Sequence, residues 1–263
     1  MKIHWYPGHM KKSSNDLLER IKKIDIIIEL VDARAPTQTR NLFFEKITNN
    51  KIYILVYTKS DLADLSFISN EEKKKNFLIS IKKKSSINFL YSYILNIIKK
   101  YNLNKNNHLV IIAIIGIPNI GKSSLINAFL NKKKVKVENR PGVTKNNQLI
   151  NINEKFYILD TAGILPTKFI KPNYFLALTG AIKIELLPII ELSDFAYDFI
   201  VKNYPFLYIK RYGPIQKNSY ESFKYISNIY HIKNDKSLNF EFARTIFLKD
   251  IRDGKIGKIY FEI

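Results

Sequence analysis

Cysteine is absent from the 263 residues, which excludes disulfides and zinc modules built on thiolates. Long hydrophobic runs are absent too. The longest, 26–31 and 109–115, fall far short of the roughly 20 apolar residues that cross a bilayer, and their length suits buried strands. Residues 1–8 lack the apolar centre of a secretory signal. A cytoplasmic chain without membrane contact is expected. Acidic residues are the third scarcity: 23 Asp and Glu stand against 43 Lys and Arg, a formal net charge of +20. A surface this basic draws polyanions, nucleic acid first. Lys, Ile and Asn are plentiful throughout, however, and such a drift raises the charge without any ligand.

The length allows one large domain or two modest ones. Apolar runs at 26–31, 52–57, 77–79 and 109–115 each end in polar residues, and 148–152 with 156–159 reads as a hairpin turning at Asn153 and Glu154. Amphipathic stretches at 11–24 and 85–101 read as helices. Strands alternating with helices predict an α/β fold with a largely parallel sheet, whose ligands sit at the carboxyl edge. Residues 102–108 form a polar linker. Beyond Pro172 the chain turns aromatic and helical, for example over 240–251. Two domains are expected, 1–170 around the sheet and 171–263 smaller and mostly helical.

Gly116-Ile117-Pro118-Asn119-Ile120-Gly121-Lys122-Ser123 has the spacing of a phosphate-binding loop between a strand and a helix. Such a loop wraps a phosphate in backbone N–H groups, and the helix N-terminus adds positive potential. Lys122 would reach the β- and γ-phosphates, and the Ser123 hydroxyl would ligate Mg²⁺. Ile120, Gly121 and Ser124 complete the cradle. Asp160-Thr161-Ala162-Gly163 follows a second strand, with Asp160 placed to hold Mg²⁺, if need be through water, and the Gly163 N–H placed at the γ-phosphate. Thr144, in Pro141-Gly142-Val143-Thr144, is the natural switch residue that closes the Mg²⁺ shell and releases on hydrolysis.

Thr58-Lys59-Ser60-Asp61 ends an earlier strand. A carboxylate at Asp61 accepts two hydrogen bonds from guanine N1 and N2, which adenine does not offer. Lys59 would lay its stem along the base, and Ser80 would offer its N–H to guanine O6. These base-reading elements ordinarily follow the phosphate loop; here they precede it. Two other readings stay open: a P-loop ATPase, against which Asp61 argues, and a nucleotide-gated RNA-binding module with negligible turnover. Lys73–Lys75 and Lys132–Lys134 could touch RNA, but charge runs are more often solvated faces.

With these motifs the chain resembles the circularly permuted GTPases, and among them the ribosome biogenesis GTPase A family. Further blocks carry the likeness: residues 5–10 (Trp-Tyr-Pro-Gly-His-Met), 32–36 (Asp-Ala-Arg-Ala-Pro), Arg40-Asn41, 176–183 and 251–257. The resemblance implies a cytoplasmic GTPase that cycles between GTP and GDP; a monomer is expected. It implies action in late maturation of the large (50S) ribosomal subunit, with rRNA and ribosomal proteins as partners and stimulation by that subunit. It also implies His9 as the group that handles the attacking water, since Ile164 stands where other GTPases carry Gln. Asn119 is similar to the residue that helps hold K⁺ in potassium-stimulated relatives. Thr58 stands where the pattern has Asn, which would lower guanine affinity. The segment after Ser80 lacks the family's glycines.

Overall fold

The computed structural model describes residues 20–41, 44, 51–131, 149–161, 174–230 and 236–263. Expected site residues His9, Thr144 and Gly163 lie outside these, as does the expected boundary between 170 and 171. Six strands form one sheet: β1 (Ile26–Asp32), β2 (Ile52–Thr58), β3 (Phe77–Leu78), β4 (Val110–Ile115), β5 (Leu149–Asn153) and β6 (Phe156–Asp160), in the order β3-β2-β1-β4-β6-β5. All neighbours are parallel except the β5–β6 hairpin. β1, at the centre, is buried along its whole length, as a strand covered on both faces must be.

The sheet's register explains why the site residues converge. Asp32 lies opposite Thr58, and Ile114 opposite Asp160, so the carboxyl ends of β1, β2, β4 and β6 share one edge. The base-reading strand β2 and the phosphate strand β4 flank β1, although more than fifty residues separate them in sequence. The hairpin turns one residue later than expected, at Glu154 and Lys155. The Asn153 side-chain oxygen accepts from the N–H groups of Lys155 and Phe156, so Asn153 finishes the strand and caps the turn.

Helix α1 (Asn70–Lys75) opens on a capping box in which Ser69 and Glu72 exchange hydrogen bonds. Acids fill its first turn and Lys73, Lys74 and Lys75 its last, complementing the helix dipole. This gives that charge run a local structural role. α2 (Lys84–Lys100) buries Ile87, Leu90, Ile94, Ile97 and Ile98, the i, i+3, i+4 stripe of a helix lying on a sheet. α3 (Lys122–Leu130) follows β4. The remaining helices are α4 (Tyr174–Leu178), α5 (Ile189–Asn203), α6 (Pro205–Tyr212), α7 (Ser219–Ile229) and α8 (Lys236–Arg252). They pack through Tyr208, Phe223 and Phe247 among others, and their core is continuous with that of the sheet.

The helical part is fastened to the sheet at one point above all. Arg34 is fully buried. Its Nε and Nη2 donate to the two carboxylate oxygens of Asp32, each at 2.9 Å. Nη1 donates to the Arg252 carbonyl at the end of α8, 2.9 Å away, and Nη2 also donates to the Thr179 carbonyl at 3.1 Å. Beyond α8 the chain returns to the sheet. Phe261 N–H donates to the Arg34 carbonyl, and Ile259 exchanges backbone bonds with Leu62 and Asp64 beside the base-reading loop. Truncating one partner of a buried ion pair typically costs about 3–5 kcal/mol, because the other charge stays buried. Arg34→Ala should therefore lower the unfolding free energy by about that much in urea titration, with Arg34→Lys recovering only part.

Candidate functional site

The loop between β4 and α3 has the backbone of a phosphate cradle. Gly116 has φ +150°, and a Cβ there would stand 2.8 Å from the Leu30 carbonyl oxygen. The loop can thus pack against β1 only with glycine. Gly121 has φ +112°, and a Cβ on it would meet nothing within 4 Å; this is open space at the mouth of a helix. No side chain caps α3, so its first N–H groups are left for an anion. Ser123 and Ser124 are exposed there, Ile120 is buried, and Asn119 holds φ +56°.

Lys122 is buried, and its ammonium donates to the Gly116 and Ile117 carbonyls at 3.1 and 3.0 Å. It folds back over the loop and holds it in shape. Burial pulls its pKa down to about 8, against a smaller upward pull from Asp160. Burial in turn raises the Asp160 carboxyl above its ordinary value, with Lys122 opposing. The pair stands where anionic phosphate oxygens and a divalent cation would relieve both. Thr161 anchors the end of β6 by donating to the Ile114 carbonyl at 2.6 Å.

Thr58 joins the two halves of the site. Its hydroxyl lies 3.0 Å from the Val31 carbonyl and 2.9 Å from the Ile120 carbonyl in the phosphate loop. A hydroxyl has one proton for two acceptors, where an Asn amide has two. Asp61 sits at the rim. Ser80 and Lys82 donate to its carboxylate, the latter at 3.0 Å, and together they outweigh burial and hold its pKa below the ordinary value. Ser60 N–H donates to the Ile79 carbonyl, tying the Thr58–Asp61 turn to the Ser80 turn.

Ser80 was expected to offer its N–H to guanine O6. Its N–H is taken by the Ser86 hydroxyl at 3.2 Å, whereas the next N–H, of Ile81, makes no hydrogen bond among the described residues. The Ile81 N–H is thus unengaged beside the Ser80 turn. The glycine-free loop is braced by hydroxyls, since Ser80 Oγ also accepts from Lys82 N–H. Lys59 has φ +54°, and its amine donates to Asp32 and to the Thr179 carbonyl, each at 3.0 Å; its stem is what remains to face a base. The Asn119 side-chain amide donates to the Gly180 carbonyl at 3.0 Å, leaving its oxygen for a cation.

Sequence reasoning missed Ser86, Thr179 and Gly180 as parts of this site. The similarity of 32–36 and 176–183 to family blocks was the available signal, but nothing in sequence said that the two blocks touch.

A family model described as 50S ribosome-binding GTPase matches residues 111–204. Over its full length the chain is 35% identical to the probable ribosome biogenesis GTPase A of Mycoplasma genitalium, covering 97% of that protein, and 33% identical to ribosome biogenesis GTPase A of Bacillus cereus, covering 94%. The chain belongs to the ribosome biogenesis GTPase A family. Its fold matches that of GNP-bound YlqF from T. maritima, with a TM-score of 0.63 at 22% identity over 96% of this chain and 97% of that one. A GDP-bound YlqF structure matches at the same TM-score. The expected fold, a GTPase sheet with motifs in permuted chain order and a helical C-terminal part, is thereby established. No helix of the described residues is long and apolar enough to cross a membrane.

Two outcomes follow for nucleotide binding. Below pH 8 Lys122 already carries its proton in the free protein. Above it, an incoming polyphosphate must restore that proton, so affinity should fall by up to about tenfold per pH unit. Calorimetry in buffers of different ionisation enthalpy should show proton uptake on GDP binding near pH 9 and little near pH 7. Thr58→Val keeps the shape but leaves the Val31 and Ile120 carbonyls without their donor. An unsatisfied buried acceptor costs about 1–3 kcal/mol, so the unfolding free energy should drop by about that much in urea titration, with GDP affinity falling only in so far as the loosened loop must be reordered to bind, while Thr58→Asn should hold or gain.

Proposed function

We propose that this protein is a GTP-hydrolysing assembly factor for the large ribosomal subunit, binding GTP across Thr58–Asp61 and the 116–123 loop. The observation that supports it most is the Thr58 hydroxyl bridge to Ile120, which joins a guanine-type base reader and a phosphate cradle in one site. Asp61 selects guanine, the Lys59 stem lies along the base, and the base carbonyl is met by the Ile81 N–H, since the Ser80 N–H is engaged by Ser86. Backbone amides of Ile120, Gly121, Lys122, Ser123 and Ser124 hold the phosphates. Lys122 leaves the loop carbonyls for the phosphate oxygens and offsets negative charge that builds on them during transfer.

Mg²⁺ fits the residues present. A half-buried carboxylate with a raised pKa at Asp160 and an exposed hydroxyl at Ser123 make a sparse oxygen set of the kind that shares its ion with phosphates and water. Thr144 would add a second hydroxyl. The ion, when bound, neutralises charge on the phosphate oxygens. K⁺ is proposed at the Asn119 side-chain oxygen. His9 orients or deprotonates the attacking water, and the Gly163 N–H registers the γ-phosphate. The basic surface contacts rRNA next to ribosomal proteins. The protein acts as a cytoplasmic monomer.

The test is GTP turnover in K⁺ and Mg²⁺, with and without 50S subunits. Stimulation of about 100-fold or more by the subunit is expected, on the scale of general acid–base assistance. His9→Ala should abolish most of it while GDP binding stays normal. Turnover indifferent to every ribosomal particle, with GTP still bound, would instead favour the nucleotide-gated RNA-binding reading.

A further inference from the structure

The sheet has a second edge. At the amino ends of its strands, the start of β2 and the end of α2 enclose a groove of about 620 Å³, lined mainly by Lys51, Tyr53, Tyr93, Asn96, Lys100 and Tyr101. No carboxylate is among its lining residues. The nucleotide residues lie at the carboxyl ends of the strands, so the two sites are at opposite edges and do not compete.

α2 shows what the groove offers. One face of this helix is spent on the core. Phe89, Tyr93, Asn96 and Lys100, spaced by four, three and four residues, run along another. Phe89 is 67% exposed, Tyr93 41%, and Tyr101, just past the helix, 56%. Phe77 of the edge strand β3 extends the aromatic strip, with its ring 5.5 Å from Phe89 and 4.7 Å from Tyr93. Lys100 carries its ammonium 5.4 Å from the centre of the Tyr101 ring. Lys51 is fixed at the rim by bonds to the Ile24 and Lys22 carbonyls, which leaves one of its three N–H groups for a ligand.

Exposed rings interleaved with ammonium groups, with no acid among the lining residues and the nearby Glu29 buried behind Tyr53, match one ligand chemistry closely. Flat bases stack on the rings, and phosphates meet the lysines. Asn96 adds a donor and an acceptor for a base edge. A duplex hides its base faces, so the fit is to an unpaired strand. We propose that this groove binds unpaired RNA, bases against Tyr93 and Tyr101 and phosphates on Lys51 and Lys100. The proposal rests on the ribosomal reading only for the source of that RNA.

The test is anisotropy of a short, fluorescently labelled unpaired RNA with the full-length protein over a range of salt. Tyr101→Ala combined with Tyr93→Leu, which keeps packing on Phe77 but removes the ring, should raise Kd about 10-fold. Lys100→Gln should lower the salt slope by about 0.7. A duplex of the same sequence should be indifferent to the tyrosine changes. GDP affinity, unchanged in every variant, reports an intact fold. Wild-type Kd and salt slope in all the variants would overturn the proposal and leave this face to a protein or to solvent, without touching the ribosomal reading. Failure of the unaltered protein to bind either RNA or 50S subunits would remove both.

Discussion

The carboxylate of Asp32 is the point on which the rest of the structure hangs. It is completely buried at the end of the central strand. Burial alone would push its pKa up, but the Arg34 guanidinium and then the Lys59 ammonium overcome this and hold it at about 2. Its stabilising effect is therefore full above the ordinary range of an unfolded Asp, near 4, and drains away only as pH falls toward 2. A buried ion pair is not by itself a source of stability. What this one supplies is position. Arg34 spends its remaining donors on the carbonyls of Thr179 and the end of α8, where a helix terminus welcomes positive charge. One carboxylate thus sets the place of the base-reading turn through Lys59, and of the helical part through Arg34.

Permutation is intelligible on the same terms. A strand's role depends on its neighbours in the sheet and not on its turn in the chain. β1 stands between β2 and β4, so the base reader and the phosphate loop flank Asp32 whichever comes first in sequence. Thr58 then closes the gap with a single hydroxyl. Departure from the family's Asn leaves the bridge in place but with one proton for two acceptors.

The sheet and the phosphate loop were legible because their signals are local. Strand length, the spacing of Gly116, Gly121 and Lys122, and the apolar stripe of α2 all speak within a dozen residues. The role of Arg34 was not legible, because its partners lie 145 and 218 positions away and a buried arginine looks in sequence like any surface arginine. Ser86 was hidden for a related reason. It lies in the first turn of α2 and takes the Ser80 N–H by a side-chain bond, a competition with other partners that Ser and Thr side chains often enter. Lys73–Lys75 show the converse: a run that invites an RNA assignment is accounted for by the last turn of a short helix.

Two walls of the nucleotide site end on adjacent carbonyls of the helical part. Lys59, in the base-reading turn, donates to Thr179, and Asn119, in the phosphate loop, donates to Gly180. The permuted chain order makes this economical, since α4 and the Thr179–Gly180 turn are the next described elements after β6 in sequence. Linkage then works in both directions. A nucleotide that drew Lys59 or Asn119 into new contacts would loosen the turn at 179–180, and a partner that shifted that turn would alter nucleotide affinity by the same free energy. Arg34 bounds how far this can go, because its bond to Thr179 is shared with Asp32 and yields only if the buried carboxylate loses part of its clamp.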